Sequence, residues 1–153
     1  MKIGVISDTH GWLDPKIPGL FASVEHILHA GDIGSDGVTA ELEAVAPVTA
    51  VLGNTDSSPN FRLTEVMTLA GRKFLVQHIV NPLTLTEELR LRIARERPDA
   101  VVFGHTHKAF NETIHGVLYL NPGYAGKPKW GTERSVAILH GDGREMRVEF
   151  VSL

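Results

Sequence analysis

Residues 2–11 read Lys2-Ile3-Gly4-Val5-Ile6-Ser7-Asp8-Thr9-His10-Gly11, a short β-branched run that stops at an aspartate, a histidine and a glycine. β-Branched side chains favour extended backbone, and a glycine permits the turn that leaves it. The stretch predicts a strand over Lys2–Ser7 that delivers Asp8 and His10 into a loop. The same pattern then repeats. Glu25–Ala30 predicts a second strand, stopped by Gly31-Asp32, and Val48–Leu52 a third, stopped by Gly53-Asn54. Between them, Pro15–Ala22 suits a short helix. Ser35–Ala46 suits a longer one, with Ser35 and Asp36 to cap it, Val38, Leu42 and Val45 at helical spacing, and Pro47 to end it. Strand, helix, strand, helix, strand requires crossover connections and so a parallel sheet.

Further on the pattern changes. Leu63–Leu69 and Arg72–His78 flank Ala70-Gly71, a hairpin signal. Thr86–Arg95 is amphipathic at helical period, with Thr84 or Thr86 as N-cap and Pro98 beyond its end. Ala100–Phe103 predicts a short buried strand. Ala109–His115 and Val117–Leu120 meet at a His-Gly turn, and Arg134–His140 and Arg144–Val151 meet at Gly141-Asp142-Gly143. Without repeats or a linker, residues 1–153 predict a single α/β domain, two packed sheets with helices outside.

Composition narrows the function. The 153 residues are 42% hydrophobic and 22% charged, the balance of a soluble globular domain. No run approaches the length of a membrane span, and the first residues reach an aspartate too early for a signal peptide, so a cytoplasmic location is expected. Cysteine is absent, which leaves His, Asp, Glu and Asn as metal ligands. A net charge of −3 without a basic block argues against nucleic acid as partner.

Nearly every apolar strand ends in a metal-capable side chain, usually beside a glycine. Asp8 and His10, Asp32, Asn54 and His78 follow four of the strands. Gly104-His105-Thr106-His107 follows the fifth, where a spacing of two aims both imidazoles to one side and Thr106 away. Each piece alone is an ordinary turn or a core histidine; five together at the same kind of strand end are not. Carboxyl ends of parallel strands gather along one edge, where open α/β folds place ligands. Imidazole, carboxylate and amide oxygen suit borderline first-row ions such as Mn²⁺, Fe²⁺, Zn²⁺ or Ni²⁺; Mn²⁺ is the ion expected, with Ni²⁺, Fe²⁺, Zn²⁺ or Mg²⁺ as alternatives. Seven ligands exceed one tetrahedral ion and suit two ions about 3.5–4 Å apart if one carboxylate bridges. Two divalent cations against two carboxylates and a hydroxide leave a positive site, fit for an anionic phosphoester attacked by that hydroxide.

The ordered set Asp8-x-His10, Gly31-Asp32, Gly53-Asn54-x-Asp56, His78 and Gly104-His105-x-His107, with Asn121-Pro122-Gly123-Tyr124 after it, resembles the calcineurin-like metallophosphoesterases. The short form resembles their small bacterial and archaeal phosphodiesterases. That resemblance implies a four-layer α/β/β/α sandwich of two mixed β-sheets with a dinuclear site on one edge. Carried over, Asp8, His10 and His107 would hold one metal and Asn54, His78 and His105 the other, with Asp32 bridging and Asn54 facing a phosphoryl oxygen. Catalytic roles would fall to His10, Asp32, Asn54 and Asp56. Three positions depart from the family pattern. Thr55 stands where larger members carry a histidine thought to protonate the leaving group, which leaves Asp56 or water. Ile79 stands where glycine usually follows the fourth-motif histidine, and Tyr124 replaces a small residue and reads as a rim aromatic.

The expected activity is hydrolysis of a small phosphodiester. A phosphomonoesterase and a catalytically weak scaffold of the same fold are the alternatives, and self-association is open. Filling all seven ligand positions with competent side chains speaks against the scaffold. Elsewhere His29 reads as packing beneath the site, and His26, His115 and His140 as structural or exposed. Lys127 and Lys129 read as a solvated loop that could meet phosphate, and Trp12 and Trp130 as pocket or core cover.

Overall fold

A computed structural model describes residues 1–143 and 145–153. Arg144, where the last predicted strand begins, lies outside the described residues. In the first sheet β1 (Lys2–Ile6), β2 (His26–His29) and β3 (Val48–Ala50) run parallel, linked through α1 (Ile17–Leu20) and α2 (Asp36–Glu43) as the crossover rule requires. Strands β9 (Ser135–Gly141) and β10 (Met146–Ser152) complete it in the order β10-β9-β1-β2-β3. The second sheet holds β4 (Thr64–Leu69), β5 (Arg72–Gln77), β6 (Ala100–Val102), β7 (Phe110–Ile114) and β8 (Val117–Asn121) in the order β4-β5-β6-β8-β7. Here β5, β6 and β8 are parallel while β4 and β7 pair antiparallel on the edges, so both sheets are mixed.

The two-residue period of each strand sets the layers. Ile3 and Val5 of β1 and Leu28 of β2 face Phe74, Val76, Val102 and Leu120 of the second sheet, giving an apolar seam between the sheets. Alternate residues Ile6, Ile27 and Ala50 face outward onto Ile17, Phe21, Val38 and Leu42. On the opposite outer face Leu75, Val101 and Tyr119 meet Leu89 of α3 (Glu87–Glu96). The result is the expected α/β/β/α order.

Ends of elements follow local chemistry. The Thr86 side chain caps α3 by accepting from the Leu89 N–H at 3.2 Å, and the helix leaves through Arg97 in the left-handed region, one residue before Pro98. Ser35 does occupy the N-cap position of α2, but its side chain makes no capping bond, and α2 ends sooner than expected, at Glu43. Both tight hairpins place a non-glycine and then a glycine at positive φ, Ala70-Gly71 at 49° and 80° and His115-Gly116 at 50° and 79°, the backbone a type I′ turn needs. Among the described residues no helix is long and apolar enough to cross a membrane.

Candidate metal centre

Six parallel strands send their carboxyl ends to one edge. Loops after β1 and β2 stay bonded beyond the sheet, through Asp8 N–H to Gly31 O at 3.0 Å and His10 N–H to Asp32 O at 2.9 Å. Five of the seven predicted ligands take left-handed backbone: Asp8 (φ 58°), His10 (48°), Asp32 (52°), His105 (72°) and His107 (63°). Such conformations cost a non-glycine residue about 1–2 kcal/mol each and persist where surroundings over-determine them. Some glycines beside the ligands do turn the chain, Gly11 at φ 82° and Gly31 at 101°, while Gly53 and Gly104 serve close approach. A Cβ on Gly104 would overlap Ser7 Oγ and stand 2.8 Å from Asp8 Oδ2, and one on Gly53 would overlap the Asp32 carboxylate.

The structure brings all seven predicted ligands to this edge. Asp8 Oδ1 lies 3.3 Å from His107 Nε2, 3.8 Å from His78 Nε2 and 3.9 Å from His10 Nε2. Asp32 Oδ2 lies 3.2 Å from His78 Nε2 and 3.8 Å from His10 Nε2. His105 Nδ1 meets Asn54 Oδ1 at 3.1 Å. The rings fall into two pairs, His10 with His107 at 5.7 Å between centroids and His78 with His105 at 5.3 Å. Ligand atoms of Asp8, His10 and His107 form one group within 4.8 Å, and those of Asp8, Asp32 and His78 another. Both aspartates thus straddle the halves, where the sequence reading expects one.

Hydrogen bonding tests whether these residues fit a metal. His78 Nδ1 is 2.7 Å from the Ala30 carbonyl, which can only accept, so this nitrogen carries the proton. In neutral imidazole the other nitrogen, Nε2, then presents a bare lone pair to two carboxylate oxygens. Both His78 Nε2 and Asp8 Oδ1 are buried with no hydrogen-bond partner. Facing lone pairs in a dry site repel unless a proton or a cation lies between them. Separations of 3.2–3.9 Å also match the spacing of neighbouring ligands on one ion, about 3–4 Å for bonds near 2.1 Å. The donor set fits borderline divalent cations.

Supporting residues fix the ligands, and several were not singled out in the sequence. Ser7 Oγ donates to Asp8 Oδ2 at 2.8 Å, the His105 N–H donates to the same oxygen at 3.2 Å, and the Thr55 N–H donates to Asp32 Oδ1 at 3.0 Å. Asn121 is buried at the end of β8, where its amide donates to Gly104 O at 3.0 Å and Thr106 Oγ at 3.1 Å. Thr106 is thereby tied to the end of β8. Asn121 opens the Asn-Pro-Gly-Tyr turn of the motif set, and its bonds give that turn its part in the site. Asp56, the candidate proton donor, has both oxygens engaged: Oδ2 accepts from Gly53 N–H at 2.8 Å and Ile33 N–H at 3.0 Å, and Oδ1 from Gly34 N–H at 2.9 Å. It positions two loops.

The surroundings settle the remaining residues. Tyr124 is 2% exposed, not on a rim; its ring lies 4.8 Å from that of His107, and Lys129 Nζ sits 4.7 Å from its centroid. Lys129 is the lysine drawn toward the centre, while Trp130 stands fully in solvent. Beneath the site, burial pushes His29 down to about 3. Its Nδ1 accepts from the Gly31 N–H and its Nε2 donates to Thr9 Oγ at 2.9 Å, which in turn donates to Ile33 O. Burial raises Asp8 above the ordinary carboxylate value. Burial would raise Asp32 too, but hydrogen bonds from Thr55 and the nearby His78 and His10 hold it below. Burial lowers His107 against the pull of Asp8.

Comparisons with known proteins identify the family and the fold. The sequence profile of the calcineurin-like phosphoesterase superfamily domain matches residues 1–144. A probable metallophosphoesterase of Methanothermobacter thermautotrophicus is 36% identical, across 99% of this chain and 92% of the relative. A phosphodiesterase of Methanocaldococcus jannaschii is 30% identical, across 80% of this chain and 83% of the relative. Among solved structures, Vps29 of Entamoeba histolytica superposes with a TM-score of 0.79 at 21% identity, covering 100% of this chain and 99% of that one. At that identity the likeness is one of fold.

Proposed function

The chain belongs to the calcineurin-like phosphoesterase superfamily and is a metal-dependent phosphoesterase, and on that premise we propose that its seven strand-end ligands hold two divalent ions that serve phosphodiester hydrolysis. The carrying observation is the buried pair His78 Nε2 and Asp8 Oδ1, each without a partner and facing one another at 3.8 Å. Asp8, His10 and His107 would hold one ion, and His78, His105 and Asn54 the other. Asp32 would be shared, with Oδ2 between His10 and His78. Mn²⁺ is the ion we expect, with Ni²⁺, Fe²⁺, Zn²⁺ and Mg²⁺ as alternatives that the same donors accept. Bound there, divalent ions supply hydroxide at neutral pH and neutralise charge on the phosphoryl oxygens.

The remaining work belongs to the protein. Ala30 O fixes the His78 tautomer, so the ring presents its lone pair to the centre. Ser7 and the His105 N–H bind one oxygen of Asp8 and leave the other free to ligate. Asn54, which is exposed, would meet a phosphoryl oxygen. Lys129 over Tyr124 adds positive charge on the His107 side. With Thr55 in place of a histidine and Asp56 committed to backbone, protonation of the leaving group falls to water, which favours substrates whose leaving group is a good one.

A diester is favoured over a monoester by the phosphodiesterase among the relatives. Hydrolysis of bis(4-nitrophenyl) phosphate and 4-nitrophenyl phosphate, measured after EDTA and after adding back each metal, tests the reading. Turnover of the diester that disappears with EDTA and returns with Mn²⁺ is expected. Absence of metal-dependent turnover of either ester would sink it.

A further inference from the structure

Beside the centre, on the side of Asn54 and His78, opens a groove of ≈ 380 Å³ between the loop after β3, the start of β4, the end of β5 and the first turns of α3. Its apolar lining comes from Leu52, Leu63, Ile79 and Leu89. Leu63 is 67% and Ile79 51% exposed, so both present apolar surface to whatever enters the groove. Most polar groups along the groove are satisfied within the fold. Thr64 Oγ donates to Gln77 Oε1 at 2.8 Å, the Gln77 amide donates to Ile79 O, and Thr86 caps α3.

Arg92 is different. It lines the groove, and its Nε is buried with no hydrogen-bond partner. No ion pair within 4 Å involves Arg92 among the described residues: Glu87 pairs with Arg90, and Glu96 with Lys73 at 3.0 Å and with Arg95, while Arg92 acts on Glu96 only at longer range. Glu88, four residues before Arg92 and also on the groove, is exposed and forms no ion pair with it among the described residues. A guanidinium cannot shed its charge, so a buried N–H without an acceptor is a standing cost that a ligand would relieve. A second groove shares Ile79 with the first and is lined by His105, Phe103 and Phe110, but its charged group, Lys108, is exposed.

We propose that the groove receives the organic ester arm of the substrate, with Leu63 and Ile79 packing against an apolar or aromatic portion and the half-buried Arg92 guanidinium binding an anionic group carried on that arm. This rests on the metal centre as the phosphoryl site, since Asn54 and His78 belong to both the groove and the centre. Ile79, the residue that departs from the family's glycine, becomes a specificity element.

Phosphonates test the assignment, because each has one arm and its C–P bond is not hydrolysed. Binding of methylphosphonate, phenylphosphonate and (4-carboxyphenyl)phosphonate to the Mn²⁺-loaded protein would be measured by calorimetry. The phenyl compound is expected to bind about tenfold tighter than the methyl one, from buried ring area. The carboxyphenyl compound should gain about a further tenfold from a charge-assisted bond. Arg92→Gln should bring the carboxyphenyl-to-phenyl ratio to about one, and Arg92→Lys should keep part of it. Leu63→Ser should lower the phenyl-to-methyl ratio about threefold. Methylphosphonate affinity should stay within about twofold in every variant, since its phosphoryl contacts are intact. Unchanged ratios in Arg92→Gln, or equal weakening of all three ligands, would overturn the proposal. Failure of hydrolysis with these ratios preserved would instead overturn the enzymatic reading.

Discussion

Ile79 follows His78 where a glycine is expected, yet His78 is the most enclosed of the imidazoles facing the centre, 2% exposed against 34% for the His10 side chain. A β-branched neighbour is tolerated because Ile79 turns its side chain outward to the groove and needs no positive φ. The residue types were legible in the sequence; which oxygens are free and which tautomer is set were not, because they depend on the His105 N–H, Ala30 O and Thr55 N–H from other loops. Asp32→Ala tests the shared carboxylate. Bound metal, measured by plasma mass spectrometry, should fall by most of its wild-type value, and diester turnover by at least about 100-fold. Full metal occupancy in that variant would refute the assignment. His29 gives a pH prediction. Its value of about 3 in the fold lies below the ordinary 6.5, so between these limits the unfolded chain takes up a proton that the folded chain refuses. Stability is then fully present above 6.5 and lost as pH falls, by about 1.4 kcal/mol per pH unit from this one residue. Urea unfolding in EDTA between pH 8 and pH 5 should show a steeper acid decline in wild type than in His29→Gln. Parallel curves would count against it.

At the scale of elements, strands and hairpins were legible wherever a two-residue period or a left-handed turn dipeptide marked them. The three parallel strands of the first sheet and all four helix-bounding or hairpin signals at Pro98, Thr86, Ala70-Gly71 and His115-Gly116 appear where local chemistry puts them. Helix lengths were less legible. For α2, Val45 keeps the helical spacing, but the chain leaves the helix at Ala44 to bring Val48 alongside Ile27, a tertiary demand. The role of β8 was hidden for the same kind of reason: it is antiparallel to β7 and parallel to β6 at once, so its carboxyl end joins the site. Two predictions follow the elements. Gly104→Ala would force β6's exit away from Ser7 and Asp8, and should lower stability by about 1–3 kcal/mol together with turnover. Asn121→Ala removes both amide bonds that hold the Gly104–Thr106 loop. It should weaken metal binding about 10–100-fold with the sheets intact, read by metal titration alongside far-ultraviolet circular dichroism.

Across the whole molecule, the two sheets meet through an apolar seam that extends to the edge where the proposed ligands gather, and there the contacts become polar. Asp8, His10, Asp32 and Asn54 follow strands of the first sheet, and His78, His105 and His107 follow strands of the second. Direct bonds across this edge include His105 N–H to Asp8 and His78 to Ala30 O. Each proposed ion would take ligands from both sheets and so clamp one to the other. Without cations the same edge holds two carboxylates and the unpaired lone pair of His78 at close range, which disfavours the folded state. Metal should therefore stabilise the entire fold and not only its loops. At free metal 100-fold above the dissociation constant, one site adds about 2.7 kcal/mol. In a domain of this size that raises the melting temperature by about 5–10 °C. Scanning calorimetry in EDTA and in excess Mn²⁺ should show this shift as one cooperative transition, and Asp32→Ala should lose most of it. If the wild-type transition does not move, the ions do not join the sheets, and the shared-ligand arrangement fails with them.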